Sequence, residues 1–180
     1  MFIGVYQILL NFVFGTAVFF FLLRFWLQLM RAPFSNAIVQ SLYRFMAPIL
    51  MPIERVIPKF RNANLACLLV AYLIALIWSI ASALQFFPAL LLVALLRMLE
   101  TSYWLIVIFM ILYALMSLVV FRGKDLPELV VKLIAPIIAP IRKVIPPLGP
   151  FDLAFAVAML CITLAYFLIR FGLVSLIQQF

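Results

Sequence analysis

The sequence predicts an all-α membrane protein of about four transmembrane helices, arranged as two tandem repeats, each with a cytoplasmic interfacial amphipathic helix and a proline hairpin. Three observations predict it. Hydrophobic residues make up 70% of the chain and charged residues 10%, against about 25% charged in ordinary globular proteins. So few charges cannot coat a soluble domain of this size. Several segments run for 17 or more residues without a charge, the length a helix needs to cross the hydrocarbon core of a bilayer. Finally, Ala47–Pro58 is written again as Ala135–Pro146, displaced by 88 positions; from Tyr43–Pro58 against Val131–Pro146, 8 of 16 positions are identical.

The first spanning helix is expected over about 2–30. It lacks the positive start and small-residue cleavage site of a secretory signal, so it reads as a retained helix. Asn11, Gly15 and Thr16 are small or polar residues suited to close helix contact in lipid. Arg24, followed by Trp26, reads as snorkelling to the headgroups beside an interfacial aromatic rather than facing a cavity. The region 32–62 is too polar to span. Ser35 or Asn36 can cap a helix there, with Ile38, Leu42, Phe45 and Ile49 on an apolar face and Gln40, Ser41 and Arg44 opposite. Pro48, Pro52 and Pro58 then predict a kink or turn, because a proline deletes a helix hydrogen bond and clashes with the preceding turn.

Asn64 is the expected cap of a second span over about 65–84, with Ala75, Ser79, Ala81, Ser82 and Ala83 as a close-packing face. Phe86-Phe-Pro88 ends it. Residues 89–99 are apolar but too short to cross alone, and read either as an interfacial or re-entrant helix or as part of the third span, placed at about 102–121. If the helix is continuous, Arg97 and Glu100 fall on one face and can pair at headgroup level. In the second hairpin, 123–151, Asp125 and Glu128 look like a capping box. Leu126, Leu129, Val130, Leu133 and Ile134 form one face, and Lys132 repeats the basic position of Arg44. Asp152 is the expected cap of the fourth span, about 153–172, where Arg170 marks the interface. The repeats divide as 1–86 and 87–180.

Charge sets the expected orientation. Arg31, Arg44, Arg55, Lys59 and Arg61 lie in one motif loop, and Arg122, Lys124, Lys132, Arg142 and Lys143 in the other. With four crossings both loops share a side, which the positive-inside rule makes cytoplasmic, leaving both termini periplasmic. The net charge of +8 therefore points to the bilayer and its anionic headgroups as partner, with no nucleic acid expected directly. Cys67 and Cys161 read as small core residues, not a disulfide. Without histidine or a CxxC pair, the usual zinc, haem and copper ligands are missing, and no metal or cofactor is expected. Nor is catalysis, since the carboxylates read as caps or sit beside Arg55.

The second copy, with Pro136, Pro140, Arg142, Lys143, Pro146, Pro147, Gly149 and Asp152 in order, resembles the signature of the YggT family, also called YlmG. The first copy keeps Pro48, Pro52, Arg55 and Pro58. It departs at Glu54, Lys59, Arg61 and Asn64, which stand in place of Arg142, Pro147, Gly149 and Asp152. The resemblance covers essentially the whole chain and implies a multi-pass protein of the bacterial inner membrane. It further implies a part in osmotic adaptation or potassium homeostasis. The alternative is a membrane scaffold or assembly factor, acting in cell division or membrane-complex biogenesis, whose paired basic hairpins bind lipid, another copy of the chain or a membrane-protein partner. The motif residues above, with Arg44 and Lys132, are the candidate interaction site.

Overall fold

The computed structural model describes residues 2–57, 64–83, 87–118, 123–143 and 153–179. Six helices occupy them: α1 (Phe2–Leu29), α2 (Ala37–Val56), α3 (Leu65–Ala83), α4 (Leu90–Leu118), α5 (Asp125–Arg142) and α6 (Leu153–Ile177). Of these, α1, α3, α4 and α6 are long and apolar enough to cross a membrane. Large apolar side chains such as Phe12, Leu168 and Phe171 point outward from them, the pattern of helices solvated by lipid tails.

The spanning helices pack in sequence: α1 against α3, α3 against α4, α4 against α6, with α1 also reaching α4. The α1–α3 pair is antiparallel, since Gln28 meets Asn64 at one end while Tyr6 and Gln7 donate to the carbonyls of Ala81 and Ser82 at the other. Cys67, Ala71, Ala75 and Ser79 form a buried stripe along α3 at four-residue spacing. Small side chains there let helix backbones approach closely, as lipid-solvated packing requires. Ala81 and Ser82 are only half-buried and Ala83 is exposed, so the stripe ends before them. Both cysteines are free, Cys67 buried and Cys161 exposed.

The third span resolves the open reading of residues 89–99: it is one helix from Leu90 to Leu118. No glycine or proline interrupts it. Thr101 and Ser102 return their hydroxyls to the carbonyls of Arg97 and Met98, both at 2.8 Å, so these polar residues are satisfied within the helix. The fourth span also runs past its expected end, to Ile177. Arg170 lies within it and pairs with Glu100 at 3.5 Å. Glu100 thus has its direct ion-pair partner on another helix rather than in Arg97.

Helix α1 stops in a Schellman turn. The amide of Ala32 bonds the Leu27 carbonyl at 2.9 Å and that of Arg31 bonds Gln28 at 3.1 Å, with Arg31 at φ 53° in the position usually given to glycine. The turn directs the chain across the end of the bundle into α2. Asn36 caps α2, its Oδ1 accepting from the amides of Ile38 and Val39. Asn64 caps α3 in the same way, accepting from Ala66 at 3.1 Å. The capping box expected at Asp125 and Glu128 does not form. Lys124 is the N-cap and makes no side-chain cap bond, so both carboxylates fall in the first turn of α5 and act on its positive dipole end instead.

Pro48, Pro52, Pro136 and Pro140 do not end their helices. Pro48 and Pro52 lie inside α2, and Pro136 and Pro140 inside α5. All four are exposed and sit four apart. Each pair therefore shares one outward side of its helix, where water or headgroups can satisfy the freed carbonyls of Arg44, Pro48, Lys132 and Pro136. Replacing Pro136 with Ala should restore a helix bond without moving α5, raising stability by about 1–3 kcal/mol in reversible unfolding from mixed micelles. A loss of stability would mean the ring itself holds a contact.

Candidate functional site

The two interfacial helices lie at the same end of the bundle and touch. Helix α2 rests on α1 and α3, and α5 on α4 and α6. The bond joining them is made by Asn36. While its Oδ1 caps α2, its Nδ2 donates to the carbonyl of Asp125, the first residue of α5, at 2.7 Å. Asn36 is almost wholly buried, at 1% exposure. One amide thus satisfies its own helix and fastens it to the other repeat.

The face that α2 lays on the bundle is Val39, Leu42, Met46 and Leu50, not the set centred on Phe45. Of the expected face only Leu42 is buried; Ile38, Phe45 and Ile49 are exposed, Phe45 to 75%. The apolar arc of α2 is wide enough for two duties. One side covers protein, and the neighbouring side is left for the acyl boundary of a bilayer. On α5 the expected face holds: Leu129, Val130, Leu133 and Ile134 are buried, with Ile138 one turn further on.

Arg44, Arg55, Lys132, Arg142 and Lys143 are all exposed on these two helices and their ends. Arg142 also donates to the Tyr113 hydroxyl at 3.1 Å, tying the end of α5 to α4. Pro58, Pro146, Pro147, Gly149 and Asp152 lie outside the described residues.

Beneath α2 sits a buried polar node that the sequence reading missed. Arg24 does not snorkel outward. It is 6% exposed, pairs with Glu54 at 3.1 Å, donates to the Tyr43 carbonyl at 3.4 Å and lies 4.5 Å from the Tyr43 ring centroid. Burial pushes the Tyr43 phenol above its ordinary value, with the Arg24 charge opposing; the ring stays neutral and offers its face to the guanidinium. Glu54 also accepts from Asn64 at 2.7 Å, and Asn64 donates to Gln28 at 3.0 Å. Three helices are therefore pinned together: α1 through Arg24 and Gln28, α2 through Glu54, and α3 through its cap. A signal was present in the repeat. Glu54 and Asn64, two of the four departures of the first copy from the motif, occupy the positions of Arg142 and Asp152, and in the first copy they bond each other.

The chain matches the CCB3/YggT family over residues 3–85 and 92–175, two segments consistent with tandem repeats. It is 31% identical over 159 residues to the uncharacterized protein YggT of Escherichia coli (strain K12), covering 87% of this chain and 82% of that protein. It is 28% identical over 167 residues to an uncharacterized protein from the proC 3′ region of Vibrio alginolyticus, covering 89% and 90% respectively. An uncharacterized Pseudomonas aeruginosa protein is 34% identical over 167 residues, covering 79% of this chain and 77% of its own. No solved structure matches.

Proposed function

This chain belongs to the CCB3/YggT family, and from that premise we propose that it is a membrane-embedded scaffold whose paired basic helices hold a membrane-protein partner against anionic headgroups on the cytoplasmic face of the inner membrane. The observation that carries the reading is the Asn36–Asp125 bond, which makes one platform of α2 and α5. That platform exposes Arg44, Arg55, Lys132, Arg142 and Lys143 beside the bare apolar side chains of Ile38, Phe45 and Ile49. Basic residues beside an apolar strip suit an anionic, partly apolar surface. The basic excess at this end supports the cytoplasmic placement. Osmotic adaptation or potassium handling would be served through the partner. Conduction by a single chain has less support, because Val18, Ala71, Ala75, Leu105 and Met110 fill the interior with apolar side chains.

A membrane-impermeant amine crosslinker tests the reading. Crosslinks from the lysines of the platform to a defined partner are expected in inside-out vesicles and not in right-side-out ones. Arg142→Ala with Arg44→Ala and Arg55→Ala, which leaves the lysines in place, should reduce them by about tenfold or more, if each exposed cation contributes about 1 kcal/mol at the surface. Undiminished crosslinking by the triple variant, or crosslinking only from the opposite side, sinks the proposal.

A further inference from the structure

Glu100 of α4 and Arg170 of α6 meet deep in the spanning part of the bundle, in the half away from α2 and α5. At about 1.5 Å rise per residue α4 is some 43 Å long, against about 30 Å of hydrocarbon. A centred α4 therefore puts Glu100, the tenth residue after Leu90, roughly 8 Å inside the boundary. By the same reckoning α6 puts Arg170, seven residues before Ile177, roughly 7 Å inside. The two helices agree on the depth. Yet the pair is open: the Arg170 and Glu100 side chains are 45% and 37% exposed, and one nitrogen, Nε, faces one carboxylate oxygen at 3.5 Å. A charge-assisted hydrogen bond would be about 2.7–2.9 Å. Among the described residues Arg170 has no second polar partner, which leaves the fork of its two terminal nitrogens free.

Charges in spanning helices face a bundle interior or a water-filled cavity, because lipid tails cannot solvate them. Glu100 is too short to reach the headgroups from this depth, and Arg170 is held beside it. The surface around the pair is apolar. Trp104, Ile108, Ile111 and Leu115 follow Glu100 along one side of α4 at i+4, i+8, i+11 and i+15, all exposed. Helix α6 is the least buried of the four spans, and every residue from Phe167 to Phe171 is exposed. Arg97 does not add to the charge here, since it is turned onto the Trp78 ring and the Ser82 hydroxyl of α3. The α4–α6 seam thus presents one acid and one base, side by side at one depth, within an otherwise apolar strip. What covers it must bring the opposite charges in the reverse order at that same depth.

We propose that a second copy of this chain covers the seam, related by a two-fold axis along the membrane normal that passes between Glu100 and Arg170. Such an axis keeps every residue at its own depth and sets the Glu100 of each copy against the Arg170 of the other. The face is complementary to itself, which is what a two-fold interface requires. Four charges then close into a ring in which each guanidinium fork has two carboxylates, and Trp104 and Ile111 bury apolar surface beside it. The interface lies away from the α2–α5 platform and does not rest on the reading of that platform as a scaffold.

Co-capture of two differently tagged copies in lipid nanodiscs cut from the native membrane tests this. Capture of one tag is expected to bring down the other. Glu100→Arg alone and Arg170→Glu alone should each reduce that capture about tenfold or more, because each sets like charges across the axis and one close inter-chain charge pair commonly supplies that factor. Co-expressing the Glu100→Arg chain with the Arg170→Glu chain should restore capture, since one seam is then wholly cationic and the other wholly anionic. A pair that acts only within one chain predicts no such rescue. If either charge variant fails to insert, a photo-reactive phenylalanine analogue at Ile111, with the charges intact, decides the matter. It should crosslink two copies of the chain, whereas the same analogue at Leu91, exposed on the opposite side of α4, should not. Crosslinking from Ile111 to lipid alone or to a different protein, a dimer from Leu91 as well, unchanged capture in the single variants, or no rescue between two inserted variants would overturn the proposal.

Discussion

Glu54→Ala is expected to destabilise the protein by about 3 kcal/mol, the cost of leaving a buried partner charge uncompensated. Arg24 cannot swing out to water, because it is 6% exposed under α2, and its Nε has no partner among the described residues even in the intact protein. Removing Glu54 takes away the one carboxylate at bonding distance from Arg24 among the described residues and leaves the Asn64 side-chain nitrogen with the Gln28 acceptor. Reversible unfolding in mixed micelles measures the loss. The double variant Arg24→Met with Glu54→Leu should recover most of it, because a buried ion pair is commonly replaceable by apolar residues of similar volume. A single-variant loss below about 1 kcal/mol would class the pair with weak surface bridges. Recovery in the double variant would show that the pair fixes where α2 lies rather than how tightly the bundle holds.

Asn36 carries the second large effect, and its two functions separate by substitution. Asn36→Ala removes both the cap of α2 and the donor to Asp125. The expected loss is about 2 kcal/mol, from a cap worth about 1 and an inter-helix hydrogen bond worth about 1. Asn36→Asp keeps the cap acceptor but loses the donor, and sets a carboxylate against the Asp125 carbonyl. Helix α2 should then keep its helicity while α2 and α5 part. Distance measurements between spin labels on Ser41 and Lys132, both exposed, would show a broadened, longer distribution in Asn36→Asp. An unchanged distribution would mean that the apolar contacts alone hold the platform together.

Much of this architecture was legible in the chain. The spans follow from uncharged length, which a helix must supply to satisfy its backbone in lipid. Asn64, and Asn36 as one of two choices with Ser35, were readable as caps because a short side-chain acceptor before an apolar run has one common use. The apolar face of α5 came out correctly from periodicity. Periodicity failed on α2, whose apolar arc is wider than one contact surface; it cannot tell which side meets protein and which is left bare. Pro48, Pro52, Pro136 and Pro140 do not stop their helices, for a related reason. Their effect on a helix depends on whether the freed carbonyls face water, and exposure is not a local property.

What the sequence determined by itself is the membrane class, the four spans, the two-fold repeat and its amphipathic helices, because hydrophobic length, periodicity and internal identity are properties of neighbours along the chain. Only the tertiary structure decided the partners. Arg24 is a buried pin rather than a snorkelling end, Glu100 bonds Arg170 rather than Arg97, and Asn36 joins the two repeats across 89 positions. Each of these depends on which charge or donor arrives from a distant helix. In a medium where an unpaired polar group is so costly, that arrival decides where a side chain points.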